Sequence, residues 1–319
     1  MSDVTIVIPN YNGVLYLEAC LRSVFAQSDI SMEVIVVDNG STDGSQTLIK
    51  EQFKDCQLVC LRENYGFSRA VNEGIKRAKS PYVILLNNDT EVKPDFAKEL
   101  LDAIQKDDRR FSCAAKMLQY EKRELLDNAG DFYCALGWGI ARGKGKPSKE
   151  YDKEEEIFSS CAGAAIYQKK LLEELGGFDE AHFVYLEDID VSYRAKIYGY
   201  SHWYVPKAEV FHIGSATSGS RYNRFKVIHS AGNNIYVIYK NMPFLQMILN
   251  LPFLIPGFLI KYLFFAKKGF GREYREGLRR GFLLCRAHAD RKVPFCMGHV
   301  RAYLKIQIEL WKNILLFAG

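Results

Sequence analysis

The chain has 319 residues, 48% of them apolar and 25% charged, which excludes a disordered chain and gives length for one large core or two modest ones. Its formal net charge is +5, unevenly spread: residues 241–319 hold 13 Lys and Arg against 4 Asp and Glu, a net of +9, and residues 1–240 carry a net of −4. The eight cysteines form no CxxC pair and several sit in apolar runs, so they read as buried small hydrophobes in a reducing compartment, not as a disulfide framework.

The opening MSDVTIVIPN enters strand-like pattern without a preceding basic stretch, which speaks against a cleaved signal peptide. Strand and helix signals then alternate. Residues 4–9, 33–37, 57–61 and 82–86 read as strands, and residues 17–27, 44–53, 67–78 and 94–104 as helices, the last with proline in its first turn. Strands this apolar, separated by helices, predict an α/β fold with a mainly parallel sheet covered on both faces. Ligands of such sheets bind beyond the carboxyl ends of the strands.

The middle is less regular. Residues 111–117 suggest a strand, 131–140 are aromatic and glycine-rich, and 143–156 read as a charged surface loop, a candidate mobile cover for a site. Residues 171–175 predict a short helix, 183–198 an acidic cluster leading into a helix, and 200–205 a strand ahead of 210–212.

Residues 241–260 (NMPFLQMILNLPFLIPGFLI) contain no charge, and three prolines interrupt them. The run is long enough to cross a bilayer; it also suits a kinked helical pair in the interface, or a buried core helix. Lys267, Lys268, Arg272, Arg275, Arg279 and Arg280 follow closely and favour association with an anionic inner leaflet over nucleic acid. Residues 303–317 are apolar at helical spacing and would make a second membrane-facing surface or a homodimer contact.

Four short stretches carry chemistry. In Asp38-Asn39-Gly40-Ser41-Thr42-Asp43-Gly44 an apolar strand runs into an acid and a tight turn. An aspartate there can accept the imide N–H of a pyrimidine, although turn formation and helix capping explain the same residues. In Asn87-Asn88-Asp89 a second buried strand stops at polar residues including one carboxylate, a hard ligand for Mg²⁺ or Mn²⁺ beside a leaving diphosphate. Glu187, Asp188 and Asp190 fall within four positions at a helix start, more acid than capping needs, and one could take a proton from an attacking hydroxyl. His212 follows an apolar pair; it reads either as a core histidine or as a partner of Asp89 at a metal, with Gly214 and Ser215 letting a phosphate approach.

In this order the stretches resemble the inverting glycosyltransferases of family 2, which have the GT-A fold, and within them the rhamnosyltransferase-like branch. The matching segments are VTIVIPNYNG (4–13), VIVVDNGSTDGS (34–45), LRENYGFSRAVNEGI (61–75), YVILLNNDTEV (82–92), CAGAAIYQKKLLEELGGFDE (161–180), YLEDIDVSYRAKIYGY (185–200) and VFHIGSATSG (210–219). The resemblance implies a GT-A catalytic domain over residues 1–219, with a donor-binding half to about 110 and an acceptor half after it, and a helical, membrane-associated tail over 220–319. It implies that Pro9, Asn12, Asp38, Asn39, Arg62, Asn64, Gly66, Asn72, Asn87 and Asn88 line or brace the donor pocket. Asp89 and His212 would hold Mg²⁺ or Mn²⁺. Asp188 would be the general base, with Glu187 and Asp190 in support. The first acid of the family's metal motif is here Asn87, which leaves cation binding dependent on the donor's phosphates.

The resulting expectation is an enzyme at the cytoplasmic side of the cell membrane. It would move rhamnose or another hexose from a dTDP- or UDP-sugar to a lipid-linked saccharide of a bacterial surface polymer. Two alternatives stay open: a non-catalytic carbohydrate-binding or scaffold protein of the same fold, and a nucleotidyltransferase. Against the second, residues 7–13 carry no Lys or Arg for a triphosphate.

Overall fold

The computed structural model describes residues 2–214 and 222–316. In chain order it contains β1 (Val4–Asn10), α1 (Val14–Phe25), β2 (Met32–Asp38), α2 (Ser45–Gln52), β3 (Gln57–Cys60), α3 (Phe67–Arg77), β4 (Tyr82–Leu86), β5 (Thr90–Val92), α4 (Phe96–Ile104) and β6 (Arg110–Gln119). Then come β7 (Leu126–Asn128), β8 (Asp131–Cys134), β9 (Trp138–Ala141), β10 (Glu155–Ile157), β11 (Ala164–Gln168), α5 (Lys169–Glu174), α6 (Glu187–Ile197) and β12 (Ser201–His212). Four helices close the chain: α7 (Arg224–Asn241), α8 (Phe244–Lys267), α9 (Gly271–Ala287) and α10 (Val300–Leu315).

The main sheet runs β10-β12-β6-β11-β4-β1-β2-β3, with β5 against β12 and β7 against β6. The block β3-β2-β1-β4 is parallel throughout. Strand β11 is antiparallel to both β4 and β6, and β12 returns parallel to β6. The near-continuous apolar strands have a simple cause: both faces are covered. Ile6, Ile8, Val34, Val36 and Ile84 pack with Leu17 of α1 and Phe96 and Leu100 of α4. The alternate residues Val7, Ile35, Val37, Val83 and Leu85 pack with Ala70, Val71 and Ile75 of α3. Strands β1 and β2 end in register, Asn10 opposite Asp38, so their polar termini open onto one edge.

Several local expectations change. Residues 131–140 fold as the hairpin β8–β9, because the glycine at 137 adopts a positive φ of 69°. Strand β12 is continuous from 201 to 212, absorbing an irregularity between Val205 and Glu209. Segment 143–156 is tied down by ion pairs from Lys144 to Asp127 and from Lys116 to Asp152, and by β10 on β12. Cys60 and Cys296 are exposed, although all eight thiols are free.

The apolar run forms one 24-residue helix, not a kinked pair, with Pro252 and Pro256 inside it. Each proline removes a single intrahelical bond. Packing of the stripe Gln246, Asn250, Leu254 and Gly257 and the paired amides of Asn250 and Gln307 of α10, at 2.9 and 2.8 Å, carry the helix through. The rest of α8 is apolar and open: Phe244, Leu245, Ile248, Leu251, Ile255, Leu259 and Leu263 are exposed. At about 36 Å it is long and apolar enough to associate with a membrane. Helices α7 and α9 touch through glycines; a Cβ at Gly281 would lie 2.6 Å from the Gly232 carbonyl oxygen.

Candidate active site

Beyond the carboxyl ends of β1, β2 and β4 lie two adjoining cavities of about 600 and 490 Å³, which share Phe67, Asn87, Val184 and Tyr185 in their walls. The first is lined by Pro9, Asn10, Asn39, Asn64, Gly66, Asn88, Asp89 and His212. A relay of amides sets its floor. Asn88 Nδ2 donates to Asn10 Oδ1 at 2.7 Å, and Asn10 Nδ2 donates to Asp38 Oδ1 at 2.9 Å. Asp38 is fully buried and also accepts from Ser41 N and Gln46 Nε2, so it reaches the cavity through Asn10. Asn39 Nδ2 donates to Asn64 Oδ1 at 3.0 Å and to the Gly66 carbonyl at 3.2 Å. Gly66 has φ +89°, and a Cβ there would stand 2.5 Å from the Phe183 carbonyl oxygen; only glycine permits both.

Pairing of β5 with β12 sets Thr90 opposite His212 and brings the imidazole to Asp89, with Nε2 3.3 Å from Asp89 Oδ1. The other ring nitrogen, Nδ1, lies 2.7 Å from Asp127 Oδ2. Burial works against the charged imidazole, yet its bonds to Asp127 and Asp89 outweigh this and raise it to about 9. Burial likewise opposes ionised Asp127, but His212 and Lys144 bring that carboxyl down to about 2. An oxygen and an imidazole nitrogen 3.3 Å apart match the roughly 3 Å between neighbouring ligands of an octahedral ion at 2.0–2.1 Å. A carboxylate behind the histidine orients such a ligand. With the Nε2 proton of His212 displaced on metal binding, the donor set fits a divalent cation that tolerates nitrogen.

The second cavity is lined by Asp131, Cys161, Glu187 and Asp188. Asp131, Cys161 and Asp188 bring potential metal-ligating atoms within 4.8 Å of one another. Asp188 sits in the first turn of α6, its Oδ1 accepting from Ile189 N at 2.7 Å. Burial raises its carboxyl, as it does those of Glu187 and Asp131, and the neighbouring Asp188 charge adds to the latter two. Phe183, Tyr185 and Leu186, just ahead of α6, all have φ between 63° and 73°, a costly conformation for residues with a Cβ. Asn233 of α7 holds this bend, its Nδ2 lying 2.8–2.9 Å from the carbonyl oxygens of His182, Val184 and Tyr185.

Five expected site residues line neither cavity. Asp38 is buried below. Asn12 accepts from Thr42 N through its side chain, and Asn72 clamps Phe178 through bonds of 2.7 and 3.0 Å; both brace the loops. Arg62 is exposed. Asp190 turns inward, where Lys240 Nζ donates to it at 2.9 Å and to Asp179 at 2.6 Å, with Arg194 at 2.8 Å. The grouping of Asp179, His182 and Asp190, ligand-like by proximity, is thus already neutralised by cations. Ser215 lies outside the described residues. Asp127, Asp131, Lys144 and Tyr185 were missed: β7 and β8, which carry the first two, have only three and four residues, too short for a periodic signal, and Lys144 and Tyr185 lie in loops.

The family model for glycosyl transferase family 2 matches residues 5–176, more than half of the chain. The chain belongs to glycosyl transferase family 2. The family 2 chain is similar to the N-acetylglucosaminyl-diphospho-decaprenol L-rhamnosyltransferase of Mycobacterium tuberculosis (strain ATCC 25618 / H37Rv), 26% identical over 245 residues, covering 69% of this chain and 79% of that one. Among solved structures it resembles TarS of S. aureus in complex with UDP-GlcNAc, with a TM-score of 0.60, 16% identity and coverage of 97% and 89%. It also resembles the mannosyltransferase PcManGT of Pyrobaculum calidifontis in complex with GDP-Man and Mn2+, with a TM-score of 0.53, 18% identity and coverage of 91% and 87%. These structures establish the GT-A fold. Family and fold make the protein a glycosyltransferase that uses a nucleotide-sugar donor, and its acidic site suits a metal-dependent reaction.

Proposed function

We propose that this transferase moves a hexose, rhamnose or another, from a dTDP- or UDP-sugar to a hydroxyl of a lipid-linked saccharide, with inversion at the anomeric carbon. The observation that carries this reading is the pair of adjoining cavities, one holding Asp89 and His212, the other Asp188, with Asn87 and Tyr185 between them. The lipid-linked acceptor rests on the exposed apolar side of α8 and on the name of the mycobacterial relative.

In this reading the donor lies in the first cavity, with Asn39, Asn64 and Asn88 around its nucleoside and Asp38 acting through Asn10. Asp89 and His212 would hold Mg²⁺ or Mn²⁺, which supplies positive charge to the departing diphosphate. Asp188 takes the proton of the acceptor hydroxyl, whose oxygen bonds to the anomeric carbon as the carbon–phosphate oxygen bond breaks. Burial keeps Asp188 basic enough for this task. Glu187 and Asp190 support α6, the latter through its ion pairs. Residues 1–219 form the catalytic part and 220–319 the helical part, with α8 lying in the cytoplasmic interface of the cell membrane for a role in surface-polysaccharide synthesis.

A donor screen tests this. Protein with Mn²⁺ or Mg²⁺ and a panel of dTDP- and UDP-sugars is assayed for nucleoside diphosphate release, with and without membrane lipid extract. Extract-dependent release from one donor, lost at least about 100-fold in Asp188→Asn while donor binding persists, is expected. Neither release nor binding with any donor would turn the reading toward a non-catalytic protein.

A further inference from the structure

The second cavity contains a cation that the transfer step does not use. Lys261 of α8 lines it together with Asp131, Asp188 and Ser230. Its Nζ lies 5.5 Å from the centre of the Trp138 ring on β9, and Trp138 Nε1 in turn donates to the Gly257 carbonyl of α8 at 3.1 Å. Among the described residues no carboxylate oxygen lies within 4.0 Å of the Lys261 ammonium. The three fully buried lysines among the described residues are paired: Lys116 with Asp152, Lys196 with Glu309 and Lys240 with two aspartates. Lys261 is half-buried, and desolvation pushes its ammonium down to about 8. An enclosed cation without a counter-ion is costly, and an aromatic face offsets only part of that cost.

The position of the lysine says what should supply the missing charge. On one side it faces the cavity of Asp188. On the other, the same helix presents Leu259, Ile260, Leu263 and Phe264, all exposed. A ligand spanning this place has a hydroxyl at the carboxylate, an anion at the ammonium and a hydrocarbon along the helix. We propose that Lys261 binds the phosphate that joins sugar to lipid in the acceptor, while the lipid chain runs along the open apolar side of α8. This deepens the functional proposal above and rests on its lipid-linked acceptor. Asp131, Glu187 and Asp188 line the same cavity and would repel a phosphate; Lys261 offsets that repulsion.

Equilibrium binding tests the assignment without knowledge of the acceptor sugar. Farnesyl diphosphate and farnesol are titrated in detergent micelles into the full chain, with UDP and Mn²⁺ saturating the donor cavity. The wild type should prefer the diphosphate. Lys261→Met should lose roughly 10- to 100-fold of that affinity, as expected for charge-assisted hydrogen bonds, with farnesol binding unchanged, and Lys261→Arg should retain most of it. Equal diphosphate affinity in wild type and Lys261→Met overturns the proposal. So does a loss confined to binding of vesicles of phosphatidylcholine with phosphatidylglycerol, relative to phosphatidylcholine alone, since the lysine would then serve membrane headgroups. Failure of the transferase reading is separable, because it shows as absence of nucleoside diphosphate release, which this titration does not use.

Discussion

His212 Nδ1 lies 2.7 Å from the Asp127 carboxylate, which aims the opposite ring nitrogen at Asp89. Two residues far apart in sequence thereby fix the orientation of one donor of the proposed cation site. Asp127→Asn should weaken apparent Mn²⁺ affinity roughly 10- to 100-fold, the range for loss of a partner behind a ligand. Activity titrated against Mn²⁺ measures this, and most turnover should return at saturating metal.

Lys240 joins Asp179 and Asp190 in the interior, at 2.6 and 2.9 Å. Lys240→Met would leave two buried carboxylates short of their counter-ion, and should cost about 3–5 kcal/mol in urea unfolding.

The same ion pairs predict an acid dependence of stability. Burial opposes ionisation of Asp179 and Asp190, but Lys240, joined at Asp190 by Arg194, outweighs it and holds both below the usual carboxylate range. Their folded values lie below the unfolded ones. The stabilisation is therefore full above about pH 4 and is lost as pH falls through the folded values. Unfolding midpoints between pH 6 and about pH 2 should decline in that window, and less steeply in Asp179→Asn.

Asn233 clamps the bend at 182–186 through three carbonyls. Asn233→Ala leaves those groups unsatisfied, so thermal unfolding should show a loss of about 1–3 kcal/mol. Turnover should fall further than folding does, because the strained residues ahead of Asp188 relax. Unchanged turnover would show that the bend holds itself.

Burial raises the carboxyl of Asp188. The acidic limb of the kcat/KM profile should accordingly lie above the usual carboxylate range, as measured with the donor found in the screen. A limb near pH 4 would assign the proton transfer to a better-solvated group.

The sequence alone was sufficient for the layered α/β architecture. Runs such as YVILL can be apolar on both faces only if helices cover both, and polar residues such as Asn10, Asp38 and Asn87 at strand ends then fall on one edge. It also marked the charge-free apolar run of residues 241–260, while its exposure along α8 came from packing. Tertiary structure decided the rest. Asp188 and Asp190 are two positions apart on one helix, so they point in different directions, and only packing shows that one meets a cavity and the other Lys240. Asp127 and Lys261 lie in segments with no periodic signal of their own. Their surroundings arise from pairing and packing between elements distant in the chain, here β5 with β12 and the hairpin β8–β9 on α8. Local pattern encodes which face of an element is apolar; it carries no record of which distant side chain will stand opposite.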